Sequence, residues 1–264
     1  NLPRKDVIKN MDDQKKITGY VHSLESFGSV DGPGVRYVIF LSGCAMRCQF
    51  CHNPDTWKIG SGTPYEADTL LRQALRYRTY WGEKGGITVS GGVMLTHADF
   101  VGSLIDEAAK RGIHVCLDTS GFGDGKALQK LARKENVTDI LYDMKAIDDE
   151  VHQAYTGVSN KRILENLRML AEDPKTSEKL WLRMPLVQGV NDTEGIIRST
   201  GEFYQEIGVK KVNLLPYHNL GISKERNVGG VQEEFQPPSE EWLTKIENYF
   251  KKELHLDVSI LGRV

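Results

Sequence analysis

The sequence predicts an α/β fold in which short parallel strands alternate with amphipathic helices. Six short runs rich in Val, Ile, Leu or aromatic residues are each bounded by Gly, Pro, Asp or Ser, and stretches with apolar residues at helical spacing lie between them. Six strand–helix units imply a parallel sheet with right-handed crossovers and are too few for an eight-stranded barrel. Either a partial barrel or a doubly wound sheet fits this pattern, and both place ligands at the carboxyl ends of the strands.

The predicted elements follow one another regularly along the chain. The strands are Arg36–Leu41, Ile87–Ser90, Ile113–Leu117, Ile140–Asp143, Leu180–Val187 and Val212–Leu215. The helices are Asp68–Tyr80, Ala98–Arg111, Lys126–Lys134, Arg162–Glu172, Thr193–Ile207 and Ser239–Lys252. The expected helix N-caps are Asp68, Asn160, Asp192 and Ser239. Gly112 and Gly208 are expected to end helices at their C-termini.

Length and composition indicate one globular domain. The chain has 264 residues, of which 39% are hydrophobic and 27% charged. A net charge of -2 does not point to nucleic acid or an anionic membrane as partner, and apolar runs such as Tyr37–Leu41 are too short to span a bilayer. Residues 1–16 are polar and charged, so we expect a flexible N-terminal extension rather than a signal peptide. Residues 17–264 then form a single domain, which we expect to be monomeric.

Three of the four cysteines crowd together, and this spacing is the strongest chemical signal in the sequence. Cys44, Cys48 and Cys51 lie on one short segment after the first predicted strand, and no second cysteine cluster could pair with them. A disulfide framework is therefore disfavoured, and the cysteine usage favours a reducing compartment, which we take to be the cytoplasm.

Three thiolates on one loop can converge on a soft metal centre. They suit a 4Fe–4S cubane, because three protein ligands leave one iron open for a substrate. A structural zinc ion usually takes four ligands, and here the fourth would have to be His52 or Cys116. The residues favour the iron–sulfur interpretation over zinc or over free thiols. Cys116 lies within the apolar run Ile113–Leu117, which indicates a role in core packing.

The cysteine motif resembles that of radical S-adenosylmethionine enzymes, and its context resembles the glycyl-radical-enzyme activases. The matching segments are Asp31-Gly32-Pro33-Gly34-Val35-Arg36, Phe40, Gly43-Cys44, Leu117-Asp118-Thr119-Ser120-Gly121, Asp143-Met144-Lys145 and Leu214-Leu215-Pro216-Tyr217-His218. The resemblance covers nearly the whole chain from about Ile17 onward. Between Cys51 and Gly91 there is no further cysteine, so the chain resembles the short, single-cluster members of that family rather than those with a ferredoxin-like insert.

The resemblance implies a fold, a reaction and partners. The fold is a partial (β/α)6 barrel with short N- and C-terminal extensions. The cofactors are one 4Fe–4S cluster, S-adenosylmethionine and, as a further expected ligand, a monovalent cation. Reductive cleavage of S-adenosylmethionine gives a 5′-deoxyadenosyl radical, which takes a hydrogen from a backbone glycine of formate acetyltransferase; a reduced flavodoxin or ferredoxin donates the electron. One alternative keeps the same chemistry but has another target, either a different glycyl radical enzyme or a small molecule. The other alternative is a non-catalytic zinc or iron–sulfur binding module.

The resemblance also assigns roles to residues. The cluster ligands are Cys44, Cys48 and Cys51, and Asp31 lies near the partner's glycine loop, although it could equally be a turn residue. The residues expected to bind the cofactor are Phe50, Cys51, His52, Gly91, Gly92, Asp118, Asp143, Met144, Lys145, Arg183 and His218. Taken alone, Asp118 or Asp143 could instead cap a helix, and Arg183 could form a salt bridge with no catalytic role.

One position departs from the family pattern. The segment that holds the methionine part of the cofactor normally reads Gly-Gly-Glu, whereas this chain has Val93 after Gly91 and Gly92. Valine cannot pair with the methionine ammonium group. We therefore expect weaker binding of S-adenosylmethionine, with the chemistry intact at saturation.

Overall fold

The computed structural model describes residues 17–219, 221, 224 and 234–262. The predicted extension over residues 1–16 lies outside the described residues. The strands are β1 Thr18–Gly28, β2 Arg36–Leu41, β3 Thr63–Glu66, β4 Gly86–Gly91, β5 Val115–Thr119, β6 Val137–Asp143, β7 Leu180–Leu186, β8 Lys211–Pro216 and β9 Asp257–Ile260. The α-helices are α1 Ala67–Ala74, α2 Ala98–Ala109, α3 Gly125–Ala132, α4 Asp149–Thr156, α5 Lys161–Glu172, α6 Glu194–Glu206 and α7 Glu240–Asn248. Short 3₁₀ turns cover Pro54–Thr56, Leu75–Tyr80, Met94–His97 and Ser177–Lys179, and a π turn covers Tyr249–Glu253.

The strands form one sheet in the order β3-β1-β2-β4-β5-β6-β7-β8-β9. From β2 to β9 every neighbouring pair is parallel, and the order follows the chain without reversal. A doubly wound sheet would reverse at a switch point, so the partial-barrel prediction is confirmed. In this arrangement the carboxyl ends of β2 and β4 to β8 share one edge, and the segments that follow these strands meet there.

Burial on both faces explains why the parallel strands are short continuous apolar runs. Val38, Ile39 and Leu41 of β2 are fully buried. Helix α2 packs with one apolar side inward, burying Phe100, Val101, Leu104, Ile105 and Ala108. Among the described residues, no helix combines the length and the apolar character needed to cross a bilayer.

Several strands and one helix were not predicted. Strands β1 and β3 pair antiparallel at one edge of the sheet, and β9 extends the parallel part at the other. Strand β1 interleaves polar residues such as Ser23 and Glu25 with apolar ones, so it contains no continuous apolar run. Helix α4 is only two turns long and mostly polar.

The predicted helix ends were partly right. Ser239 caps α7 by accepting from the Trp242 N–H at 3.2 Å, and Gly112 and Gly208 adopt positive φ angles after α2 and α6. Helix α1 begins after Glu66, so Asp68 is not its cap. Asn160 occupies a cap position but makes no capping bond, because its amide donates to the carbonyls of residues 146 and 147.

The prediction for Asp192 was wrong for a specific reason. Its carboxylate accepts from the Gly189 N–H at 2.7 Å, within the preceding turn. Thr193 caps α6 instead by accepting from the Ile196 N–H.

Helix α4 provides a test of capping. Asp148 accepts from the Val151 N–H at 2.9 Å, and losing such a cap typically costs about 1 kcal/mol. We predict that Asp148→Ala lowers the free energy of unfolding by about this amount, whereas Asp148→Ser retains most of it. Urea denaturation of both variants measures the difference. An equal loss in both would show that the cap does not stabilise α4.

Candidate functional site

A cavity of about 310 Å³ opens at the carboxyl ends of the parallel strands. Its lining includes all but one of the predicted site residues: Asp31, Cys44, Cys48, Phe50, Cys51, His52, Gly91, Gly92, Asp118, Asp143, Lys145, Arg183 and His218. The exception is Met144, whose side chain is buried in the hydrophobic core while its backbone N–H donates to the Arg183 carbonyl at 2.9 Å. The assignment of Met144 to the cofactor site therefore stays a prediction, which its backbone rather than its side chain would fulfil, since side chains alternate in direction at a strand end.

The segment carrying the three cysteines is held by backbone hydrogen bonds on two sides. On one side the Cys44 N–H donates to the Trp57 carbonyl at 3.1 Å. On the other the N–H groups of Arg47 and Gln49 donate to the carbonyls of Thr156 and Tyr155, at 2.8 and 2.9 Å. These last two acceptors belong to the end of α4. The unpredicted helix is therefore one of the supports of the cysteine loop.

The Arg47 side chain adds a further brace. Its guanidinium donates to the carbonyls of Cys44 and Met46, each at 2.7 Å, and lies 5.2 Å from the ring centroid of Trp57. These bonds organise the stretch between the first two cysteines.

The three loop thiols form no disulfide with one another and face a common cavity. Burial raises the pKa of each, that of Cys48 to about 12, while the nearby Lys145 ammonium group acts to lower all three. Among the described residues, no group of three or more His, Cys, Asp or Glu side chains has the spacing of a site for one metal ion. Three soft thiolate donors lining one cavity are the donor set of a 4Fe–4S cubane, in which each thiolate binds a different iron.

Cys116 lies elsewhere. Its side chain is fully buried in β5 and does not line the cavity, in agreement with the predicted packing role.

The glycine pair allows close backbone approach, as expected, but the neighbour is the cysteine loop itself. A Cβ on Gly91, where φ is +113°, would lie 2.2 Å from the Leu41 nitrogen, and one on Gly92 would lie 2.2 Å from the Gly43 oxygen. The Val93 N–H donates to that same oxygen at 2.8 Å. Val93 is buried, and its side chain does not line the cavity. Side chains at the glycine positions would therefore push the end of β4 away from the cysteine loop.

An ionic network crosses the ends of β4 to β7. Arg183 donates through Nη2 to Asp118 Oδ1 at 2.6 Å and through Nε to Asp143 Oδ1 at 2.8 Å. The remaining carboxylate oxygens accept from Ser90 Oγ at 2.6 Å and Lys145 Nζ at 3.2 Å. Helices α3 and α4 are capped by other residues, so Asp118 and Asp143 are not helix caps.

The two carboxylates of this network differ in acidity. Burial acts to raise the pKa of both. For Asp143 the charges of Arg183 and Lys145 prevail and lower the pKa to about 2. For Asp118 burial prevails over the charge of Arg183, and the pKa is raised. Ser90, which partners Asp118, was not among the predicted site residues, although its place just before Gly91 could have indicated it.

Asp31 lies at the rim of the same cavity. Burial raises its pKa to about 6, the Asp118 carboxylate adds to this, and the charge of Arg183 opposes it. Its backbone carbonyl accepts from Thr88 Oγ1 at 2.7 Å. The Asp31 backbone is thus held by the Thr88 hydroxyl, and its carboxylate lies close enough to Asp118 and Arg183 to feel their charges.

Aromatic rings form another wall of the cavity. The rings of His52 and His218 stack with centroids 3.9 Å apart, and burial lowers the pKa of both, that of His52 to about 4. Phe50 packs edge-on against Phe235 at 6.1 Å. The buried His52 Nε2 has no hydrogen-bond partner in the described chain, so a polar ligand atom could complete it. Phe235 was missed because nothing in its local sequence signals this contact.

Comparison with known proteins adds a family and named relatives. Residues 38–198 match the family model of the radical SAM superfamily. The pyruvate formate-lyase-activating enzyme of Streptococcus mutans is 43% identical over 224 residues, covering 82% of this chain and 84% of the relative. The pyruvate formate-lyase 1-activating enzyme of Escherichia coli K12 is 37% identical over 250 residues, covering 90% and 98%.

Solved structures give the same picture of the fold. A domain of a pyruvate-formate lyase-activating enzyme from Bacteroides vulgatus aligns with a TM-score of 0.54 at 31% identity, covering 67% of this chain and 99% of that one. A radical SAM methyltransferase from Sphaerobacter thermophilus aligns with a TM-score of 0.65 at 17% identity, covering 85% and 66%. The second likeness concerns the fold alone.

The ligand assignment can be tested by substitution. We predict that alanine at Cys44, Cys48 or Cys51 abolishes the iron–sulfur centre, because a cubane held by two thiolates lacks a required ligand. Cys116→Ala is the matched control and should retain iron and sulfide near four of each per chain, the content of one cubane. Iron and sulfide assays of anaerobically reconstituted protein measure both. Loss of the cluster in Cys116→Ala, or its retention in any of the other three, would contradict the assignment. Zinc bound in place of iron and sulfide would favour a zinc-binding module.

Proposed function

Because the chain belongs to the radical SAM superfamily, we propose that it activates formate acetyltransferase (pyruvate formate-lyase) by generating a glycyl radical on it. One observation carries the proposal: the three-cysteine loop and the ionic network line a single cavity, in a chain 37–43% identical to enzymes of that name over most of its length. When bound and reduced, a 4Fe–4S cluster supplies one electron to the sulfonium of S-adenosylmethionine, releasing methionine and the 5′-deoxyadenosyl radical that takes a hydrogen atom from the partner's glycine.

Cys44, Cys48 and Cys51 would hold the cluster and leave one iron for the amino and carboxylate groups of the methionine part. The cavity suits the charge of this cofactor. S-adenosylmethionine has a net positive charge, and among the described lining residues three carboxylates outnumber two cations. Lys145, close to the cysteines, is the candidate partner of the cofactor carboxylate, and Asp118 is a candidate acceptor for its ammonium group.

The aromatic wall would bind the adenosine part. His52 and His218 are held neutral by burial and offer flat ring faces, and Phe50 extends this apolar surface. A purine ring stacks on such faces, and the unpaired Nε2 of His52 adds a point of hydrogen bonding.

We include a monovalent cation near Asp118 and Asp143 in the proposal. Their carboxylate oxygens already bond to Ser90, Lys145 and Arg183, so a cation would compete with these side chains.

Asp31, at the rim, would face the glycine segment of the partner. A reduced flavodoxin or ferredoxin is the proposed electron donor. Four cysteines with no disulfide among them suit the cytoplasm, which is the proposed location. We propose that the enzyme acts as a monomer.

The function is tested by following both products of the reaction. We predict that reconstituted, reduced protein converts S-adenosylmethionine to 5′-deoxyadenosine, and that adding formate acetyltransferase produces a glycyl radical doublet in electron paramagnetic resonance. A partner with alanine in place of the radical glycine is the control and should give no doublet. Cofactor cleavage without a doublet on the wild-type partner would favour a different glycyl radical enzyme as target. Absence of cleavage would overturn the enzyme assignment.

Val93 provides a test of the cofactor pocket. We predict that Val93→Glu tightens S-adenosylmethionine binding about tenfold or more, because a charge-assisted hydrogen bond to the ammonium group contributes about 1.5–3 kcal/mol. We expect glutamate to be long enough to reach past Gly92 into the cavity. Val93→Gln, of the same size but neutral, should gain less. Anaerobic titration calorimetry measures both affinities. Unchanged affinity with a lower melting temperature would show that the carboxylate stays buried in apolar surroundings.

A further inference from the structure

Arg36, the first residue of β2, carries a fully buried guanidinium. Within the described part of the chain it forms no salt bridge. Instead it donates to uncharged acceptors: Thr88 Oγ1 at 3.0 Å, the Pro33 carbonyl at 3.3 Å, the Lys84 carbonyl at 3.2 Å and the Ile87 carbonyl. Burying a charge without a counter-ion is costly unless its donors are satisfied. The four hydrogen bonds offset this cost, and two of them, to Thr88 and Pro33, connect Arg36 to the segment that carries Asp31.

The acceptors connect Arg36 to Asp31 by two routes. The Thr88 hydroxyl accepts from Arg36 Nε and donates to the Asp31 carbonyl at 2.7 Å. The Pro33 carbonyl lies two residues further along the same segment. Arg36 is therefore linked to both ends of the segment 31–33, to Asp31 through the Thr88 hydroxyl and to Pro33 directly.

The surroundings leave this stretch little freedom. A Cβ on Gly32, where φ is +126°, would lie 3.1 Å from Cys116 Sγ, and one on Gly34, where φ is +72°, would lie 2.5 Å from the Gly85 nitrogen. The Asp31 carboxylate itself packs over Gly28, whose Cβ would lie 2.6 Å from Asp31 Oδ2. The segment packs closely against Gly28, Gly85 and the Cys116 sulfur. The hydrogen bond from the Thr88 hydroxyl holds the Asp31 backbone in this position.

We propose that Arg36, acting through the Thr88 hydroxyl, is a positioning residue that sets Asp31 at the rim for the incoming glycine segment of the partner. This inference rests on the proposed function. A guanidinium is suited to this positioning because its N–H donors lie in one plane and point in fixed directions, so it binds several carbonyl and hydroxyl oxygens at once. An ammonium group has no such fixed geometry. A purely structural Arg36 would stabilise the β2–β4 pairing without affecting how the partner binds.

Thr88→Val tests the proposal, because valine has the shape of threonine but lacks the hydroxyl that joins Arg36 to Asp31. The KM for formate acetyltransferase, followed by glycyl radical formation, should rise about three- to tenfold, the effect of losing the neutral hydrogen bond from the Thr88 hydroxyl to the Asp31 carbonyl. The simultaneous loss of the acceptor for Arg36 Nε should lower the melting temperature. Iron content and the affinity for S-adenosylmethionine should match the wild type. Thr88→Ser keeps the hydroxyl and should restore the wild-type KM.

The matched control is Thr200→Val, since Thr200 is also buried and its hydroxyl donates to a single helix carbonyl, that of Ile196. Its KM should not change. If Thr88→Val does not fold, Arg36→Lys provides the same test with the charge retained. A lower melting temperature with an unchanged KM in Thr88→Val would overturn the inference. Failure of the wild-type protein to form the radical would overturn the proposed function instead, so the two failures are distinguishable.

Discussion

The largely buried guanidinium of Arg183, set between two carboxylates, makes the contact on which the geometry of the cavity depends. It donates to Asp118 at 2.6 Å and to Asp143 at 2.8 Å, and these residues come from the neighbouring strands β5 and β6. Removing one partner of such a buried network typically costs about 3–5 kcal/mol, because an uncompensated charge remains. Without Arg183 the two acids would also repel each other in surroundings of low polarity. The strand order is what makes the contact possible, since it brings the three strand ends side by side.

The cysteine loop is held beside this network from two directions. Helix α4 receives the backbone N–H groups of Arg47 and Gln49, while the ends of β2 and β4 meet at Leu41, Gly91 and Gly92. The loop, the glycine pair and the ionic network therefore line a single cavity, and the loop is held there by hydrogen bonds and close backbone contacts. For a reaction in which the cofactor supplies the chemistry, positioning is the main task of the protein, and this arrangement performs it.

Some of this could be predicted from the sequence and some could not. The family resemblance assigned Asp118, Asp143 and Arg183 to one site, and the structure brings them together because the ends of adjacent parallel strands share one edge. The support from α4 and the packing of Phe235 on Phe50 depend on contacts between segments far apart in sequence, which no local pattern encodes. Met144 shows what a motif alone does not specify: its place in a recognised motif assigned the residue to the cofactor site, while the alternation of side chains directs its side chain into the core.

The central claim is that the radical formed in this cavity takes its hydrogen from the partner's glycine. It is tested most directly by supplying formate acetyltransferase made with deuterated glycine and analysing the 5′-deoxyadenosine by mass spectrometry. The account predicts that deuterium moves from the partner into the methyl group of 5′-deoxyadenosine. If the glycyl radical forms while the 5′-deoxyadenosine contains no deuterium, direct abstraction is contradicted and another group must carry the hydrogen between them.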